Sequence, residues 1–188
     1  AGSASPSAAV AELRERVARD GGAVLATYRE PLSGKHQLLA ALPLDKVRPV
    51  FEPIAARVIH LGELGTGATM KLAVNSIIHA LNVALCEALI LAERSGIDRE
   101  AAYDVIAASA AAAPYVHYKR SAFLDPENTP IAFSLDLVGK DLDLAARLAA
   151  DVGTAGTQLA VNQEVVNAAI EAGFGSADMS GLVEYLRR

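Results

Sequence analysis

Lys71 and Asn75 stand four residues apart in the run Gly65-Thr66-Gly67-Ala68-Thr69-Met70-Lys71-Leu72-Ala73-Val74-Asn75. In a helix that spacing puts both side chains on one face. An amine on an otherwise apolar rod is costly to bury without a partner or a task. Proton transfer is the task this pair suggests, since a lysine amine can take up and return a proton. An amine at the ordinary lysine pKa of about 10.4 is a weak base at neutral pH. Partial burial beside apolar or cationic neighbours moves such a group toward the useful range.

At about 100° per residue, positions 71, 75, 79, 82 and 86 fall within roughly 80° of one another. They carry Lys71, Asn75, His79, Asn82 and Cys86, a polar seam along a rod of Leu, Ile, Val and Ala. His79, Asn82 and Cys86 are expected to be satisfied inside the core, as buried polar groups usually are. Lys71 and Asn75 differ because they follow a glycine-rich turn where two unlike segments join, and domain junctions favour small-molecule sites. Gly65-Thr66-Gly67 is not a dinucleotide fingerprint: Met70 occupies the position that needs glycine or alanine, and helix rather than strand continues.

Residues 1–62 read as alternating helix and strand. Ser5-Pro6 opens a helix that ends at Gly21-Gly22, and Ala23 to Ala26 forms a short strand. Asp45 caps a second helix reaching about Ala56, and Arg57 to Leu61 alternates like a strand edge. Between Thr27 and Leu44 the chain is charged and punctuated by glycine and proline, with an apolar patch at Leu38 to Leu42. From Gly67 a helix of about 28 residues runs to Ser95 and is stopped by Gly96. Asp98 caps the next, through Ala108, and Tyr115 to Phe123 is a short helix. Phe133 to Val152 is amphipathic, and two more helices lie near 155–172 and 179–187. The expected organisation is an α/β fragment over 1–62 followed by an all-α domain over 63–188.

Of 188 residues, 52% are hydrophobic and 21% charged, enough apolar material for a core and unlike a disordered chain. A net charge of −5, with no basic run interleaved with aromatics, argues against nucleic acid and anionic membrane as partners. A single cysteine excludes an internal disulfide framework and offers no zinc pattern, so no metal site is expected. Its solitude points to a reducing, cytoplasmic compartment. The amino end lacks a signal-peptide layout. The apolar run from Leu72 to Ala92 has the length of a bilayer span, but Asn75, His79, Asn82 and Glu87 favour a buried soluble helix. Such a helix needs more cover than the other helices supply, which leads to the expectation of a homodimer or higher homo-oligomer through it and its neighbours.

The run Gly62 to Asn75 resembles the catalytic motif of the β-hydroxyacid dehydrogenases, the group that includes 3-hydroxyisobutyrate dehydrogenase and tartronate semialdehyde reductase. Phe133-Ser134-Leu135-Asp136-Leu137-Val138-Gly139-Lys140-Asp141-Leu142 is similar to that family's Lys-Asp helix start. Ser5-Pro6 resembles its Ser-Pro turn, and Gly173 to Ser180 its closing segment. The resemblance implies a partial Rossmann-type half joined by a long interdomain helix to a 6-phosphogluconate-dehydrogenase-like helical domain. It also implies NAD- or NADP-dependent hydride transfer on a small hydroxyacid. Lys71 would be the general acid and base, Asn75, Ser33 and Gly34 substrate ligands, and Lys140 and Ser3 cofactor contacts. Asp141 would orient Lys140 or cap its helix.

The chain also departs from the family pattern. The Gly-x-Gly-x-x-Gly half is absent, so this sequence enters the pattern partway through the cofactor domain. The family's substrate loop is echoed only by Pro31-Leu32-Ser33-Gly34, with Lys35 in place of a second glycine, and a strand-and-turn segment is missing before Asp45. Truncation and closed-up gaps both account for this. Val74 stands where 6-phosphogluconate dehydrogenases place histidine, which weighs against that substrate. Imine reductases usually replace the lysine, so Lys71 favours hydroxyacid chemistry. The competing readings are a non-catalytic helical dimerisation module derived from such an enzyme, and an imine or aldehyde reductase.

Overall fold

A computed structural model describes residues 26–29, 36–40, 48–49, 51, 53, 55–62 and 65–188. The chain divides into two compact units, Ala1–Lys71 and Leu72–Arg188. In the first, β1 (Ala26–Arg29), β2 (His36–Ala40) and β3 (Ala55–His60) form one sheet in the order β1-β2-β3. β1 and β2 are antiparallel, with Ala26 opposite Leu39. β2 and β3 are parallel, with an irregularity between His36 and Leu38. Only the second pairing has the sense of an α/β crossover.

One reading of this unit, the reach of its second helix, needs correction. Of the strand expected over Ala23 to Ala26, only Ala26 lies among the described residues, and it opens β1. The apolar patch after Leu38 belongs to a strand in its first residues. Residues 48, 49 and 51 are helical, but the helix does not reach Ala56. Pro53 disfavours helix in the residue before it and has no N–H to continue the ladder, so Ala55 already opens β3.

The second unit is helical. α1 (Thr66–Arg94), which begins ahead of that unit's boundary at Leu72, has 29 residues. It starts at Gly65, whose φ of 105° suits glycine and whose carbonyl accepts from the Thr69 N–H at 3.0 Å. It ends at Gly96, φ 85°, where the Gly96 N–H bonds to Glu93 O and the Ile97 N–H to Ala92 O, closing the last turn. α2 (Arg99–Ala107) is capped by Asp98, which accepts from the Ala101 N–H. α3 (Pro114–Leu124) carries its proline in the first turn, where a missing N–H costs nothing.

α4 (Leu135–Asp151) is capped by Ser134, whose hydroxyl accepts from the Leu137 N–H. Phe133 and Ser134 therefore precede the helix that the amphipathic pattern starts at Phe133. α5 (Thr157–Ala169) runs into a wider π turn over Ile170–Phe174, and a short 3-10 turn at Met179–Gly181 leads into α6 (Leu182–Arg187).

α1 is long and apolar enough to cross a membrane by length and composition. One face of it is nonetheless core: Val83, Leu85, Cys86, Leu89 and Ile90 pack with Tyr103, Tyr115, Val116, Leu135, Val138 and Leu142. Burying each such leucine or valine contributes about 1.5–3 kcal/mol, so this packing outweighs any single polar contact in the unit.

Two features tie α4 in place. Gly139 is buried where α4 meets α5, and a Cβ there would come within 2.9 Å of Ile170 Cδ1. The chain entering α4 also pairs with the chain leaving the π turn. Leu135 N–H donates to Ala177 O, Asp136 N–H to Gly175 O, and Met179 N–H to Phe133 O. At their centre Lys119 Nζ donates to both Asp178 oxygens, at 2.6 and 2.7 Å, with the lysine side chain 4% exposed and the aspartate 12%.

Gly139→Leu is expected to lose about 1–3 kcal/mol, because overpacking against Ile170 exceeds the roughly 1 kcal/mol that helix propensity returns. Urea titration of the variant against the parent measures it. Asp178 titrates below its ordinary value of 3.8: burial raises it, but hydrogen bonds from Lys119 and from the Ser180 N–H outweigh burial. A depressed folded pKa gives stability that is complete above the unfolded value and lost as pH falls through the folded one. Acid unfolding followed by circular dichroism should therefore lose a component below about pH 4 that Asp178→Asn lacks.

Candidate active site

Asn75 lies in the third turn of α1, half-buried, and Lys71 stands one turn upstream on the same helix. The Asn75 side chain reaches across to α4: its Nδ2 donates to Asp141 Oδ2 at 2.7 Å, a link between residues 66 apart in sequence. The Asp141 side chain is 0% exposed. Its other oxygen, Oδ1, lies 2.8 Å from Lys140 Nζ, whose own side chain is 56% exposed. A carboxylate removed from water is tolerable when both oxygens are engaged. Here an amide holds one and an ammonium the other.

The arrangement fixes orientation as well as charge. A carboxylate accepts but does not donate, so the Asn75 amide must turn its NH2 toward Asp141, and its carbonyl oxygen faces away. Lys140 is the complement: its stem lies along the protein while its head stays in reach of solvent and of any anionic ligand. Beside it, α4 and α5 enclose a groove of about 370 Å3 whose lining includes Lys140, Asp143, Arg147 and Asn167. Asp141 does not cap α4, because Ser134 does. Of the two roles expected for it, orientation of Lys140 is the one the geometry provides, and it holds Asn75 too.

Further along the seam the groups are structural. His79 is buried and its ring stacks on Phe133, centroids 6.1 Å apart and 24° between planes. Asn82 is satisfied on both sides: its Oδ1 accepts from the Tyr115 hydroxyl at 2.6 Å, and its Nδ2 donates to Met179 O at 2.9 Å. Burial pushes the Cys86 thiol far above its ordinary range, with the charge of Glu87 adding to the effect. It is therefore a small core residue and not a nucleophile.

Ser3, Ser33 and Gly34, the remaining sequence-derived contacts, lie outside the described residues. Among the described residues no group of three or more His, Cys, Asp or Glu is placed to hold a metal ion. The sequence signal for Asp141 was its adjacency to Lys140. Nothing local in it pointed to Asn75.

Residues 65–186 match the protein family described as NAD-binding of NADP-dependent 3-hydroxyisobutyrate dehydrogenase. The glyoxylate/succinic semialdehyde reductase 1 of Arabidopsis thaliana is 30% identical over 139 residues, 74% of this chain and 48% of that protein. A probable 3-hydroxyisobutyrate dehydrogenase of Mycobacterium tuberculosis is 31% identical over 150 residues, 77% of this chain and 51% of that protein. The chain thus spans about half the length of these relatives.

Among solved structures, the 3-hydroxyisobutyrate dehydrogenase of Mycobacterium tuberculosis with L-serine is similar with a TM-score of 0.72 and 27% identity. That likeness covers 82% of this chain and 56% of the other. The 3-hydroxyisobutyrate dehydrogenase of Salmonella typhimurium shares the fold, with a TM-score of 0.78 at 22% identity over 93% of this chain and 65% of the other. NAD or NADP is the cofactor of the family so matched. With well over half of its residues inside the family match, and with the motif around Lys71 and Asn75 and the Lys140-Asp141 pair both inside it, this chain belongs to the β-hydroxyacid dehydrogenase family.

Proposed function

We propose that this chain is the helical part of an NAD(P)-dependent oxidoreductase acting on a small 3-hydroxy acid, with Lys71 as general acid and base. The observation that carries the reading is the buried Asp141 carboxylate, which holds Asn75 one helical turn from Lys71 and keeps Lys140 at the surface beside it. The nicotinamide, when bound, supplies or accepts the hydride at the carbinol carbon. Lys71 takes the hydroxyl proton during oxidation and returns it during reduction. Asn75, its NH2 committed to Asp141, offers its carbonyl oxygen to the substrate hydroxyl and limits the rotations the reacting alcohol can explore. Lys140 is placed to meet negative charge on the substrate or the cofactor. Ser33, Gly34 and Ser3 complete the proposed contacts with substrate carboxylate and nicotinamide. The relatives' names support the substrate class, since 3-hydroxyisobutyrate, glyoxylate and succinic semialdehyde are all small carboxylates bearing an alcohol or aldehyde.

The proposed partner is a second copy of the chain. Val74, Ile77, Leu81, Ala84, Ala88 and Leu91 alternate at three and four residues along α1. Ile77 is 66% exposed and Leu91 70%. This is the 3.5-residue period of helices that pack on helices of their own kind. A cytoplasmic setting is proposed on the single cysteine.

In the full-length protein, Lys71→Ala should abolish turnover of hydroxyacids while calorimetric titration with NADH or NADPH still shows binding. Turnover equal to the parent's would refute the assignment, and absence of cofactor binding by the parent would favour a non-catalytic module. Light scattering at micromolar concentration should give a dimer, and Ile77→Glu should shift it toward monomer. A monomeric parent would contradict the helix-face interface.

A further inference from the structure

The buried pair Lys119–Asp178 lies away from the proposed chemistry, and its connections lead toward it. Asp178 collects an unusual number of donors. Besides Lys119 Nζ on both oxygens, Oδ2 accepts from the backbone N–H groups of Ala132 and Phe133, at 3.0 and 3.3 Å. Oδ1 accepts from the Ser180 N–H and hydroxyl, at 3.0 and 2.9 Å. The Ser180 hydroxyl also reaches Ala122 O, at 3.1 Å. One carboxylate thus joins α3, the extended chain entering α4, and the 3-10 turn before α6.

The residues it grips set where α4 begins. Phe133 stacks on His79 of α1, one turn beyond Asn75. Ser134, next in sequence, caps α4 and forms an isolated bridge with Asp178. Asp141 lies in the second turn of that helix. The position of its carboxylate relative to Asn75 is therefore the sum of a short rigid path: Asp178 to Phe133, Phe133 to His79, and the first turns of α4.

We propose that Lys119 and Asp178 are positioning residues for the active site, acting through the backbone of Ala132 and Phe133 to hold Asp141 within hydrogen-bonding distance of Asn75. The inference rests on the dehydrogenase reading for its catalytic consequence but not for its geometry. Lys119 satisfies the carboxylate and keeps it charged, so that its two oxygens serve both sides of the junction. An amide has a single acceptor oxygen and cannot hold Ala132 and Phe133 on one side and Ser180 on the other.

The test uses the full-length protein with Asp178→Asn and with the double variant Lys119→Met/Asp178→Asn. The double variant leaves no lone buried charge and is the one expected to fold well. Its crystal structure should show Asn75 and Asp141 drawn out of hydrogen-bonding distance. Its kcat should fall by about tenfold to hundredfold, the scale of a misplaced reacting group, at a temperature where its melting curve matches the parent's. A merely structural pair would lose only thermal stability. The proposal is overturned if the folded double variant keeps the Asn75–Asp141 bond, or if it opens that bond and retains kcat within twofold. A parent without hydroxyacid turnover would sink the enzymatic reading instead, and the Asn75–Asp141 distance alone would then decide the anchoring role.

Discussion

Asp141 puts a carboxylate where water does not reach, and the geometry around Asn75 follows from the need to satisfy it. Left alone, such a group would cost several kilocalories per mole. Paired with an amide on one oxygen and an ammonium on the other, it becomes a rigid post between two helices. The post orients the Asn75 amide, tethers a half-exposed lysine, and restrains α4 against α1 where the polar seam begins. Polar groups inside a core specify one arrangement among many that apolar packing alone would allow. Here the arrangement specified is Asn75 and Lys140 held about one buried carboxylate.

The remainder of the helical unit keeps α4 at that post. Glycine at 139 lets α5 approach closely, and the paired segments around residues 132–136 and 175–180 fix the entry to the helix. Asn82 and Tyr115 do similar work below, joining α1 to α3 and to the turn at Met179. At the far end of α1, Arg187 bonds to both oxygens of Glu93 and pairs with Glu184, and Arg99 bridges Glu93 and Glu184. Those ion pairs are partly exposed, so each contributes little alone. Their value lies in tying α2 and α6 to the end of a long helix that would otherwise fray.

Much of the helical unit was readable from local signals. Gly96, Asp98, Pro114 and the apolar spacing set helix ends within a residue or two, because caps and breakers act over single turns. The amphipathic pattern placed α4 but overran its start: periodicity does not distinguish Phe133, packed against α1 from an extended segment, from a residue inside the helix. The break at Gly173 was read from its residue type, but the π turn before it was read as plain helix to residue 172, since spacing does not distinguish a widened last turn from an α-helical one. In the sheet, the strand expected over 57–61 is β3, whereas β2 falls in a stretch that carried no clear pattern, for strand residues take their pairing from neighbours distant in the chain.

The chain by itself determined that Lys71 and Asn75 share a helix face, that Lys140 and Asp141 lie together on another helix, and that Cys86 is core. Each is a matter of spacing or residue type, written within a few turns of backbone. Only the tertiary structure decided that Asn75 belongs to Asp141, that His79 rests on Phe133, and that Lys119 and Asp178 close the junction behind them. Those contacts join residues dozens of positions apart. Which helices meet, and at what height, is settled by the packing of the whole core, so no local stretch of sequence contains the answer.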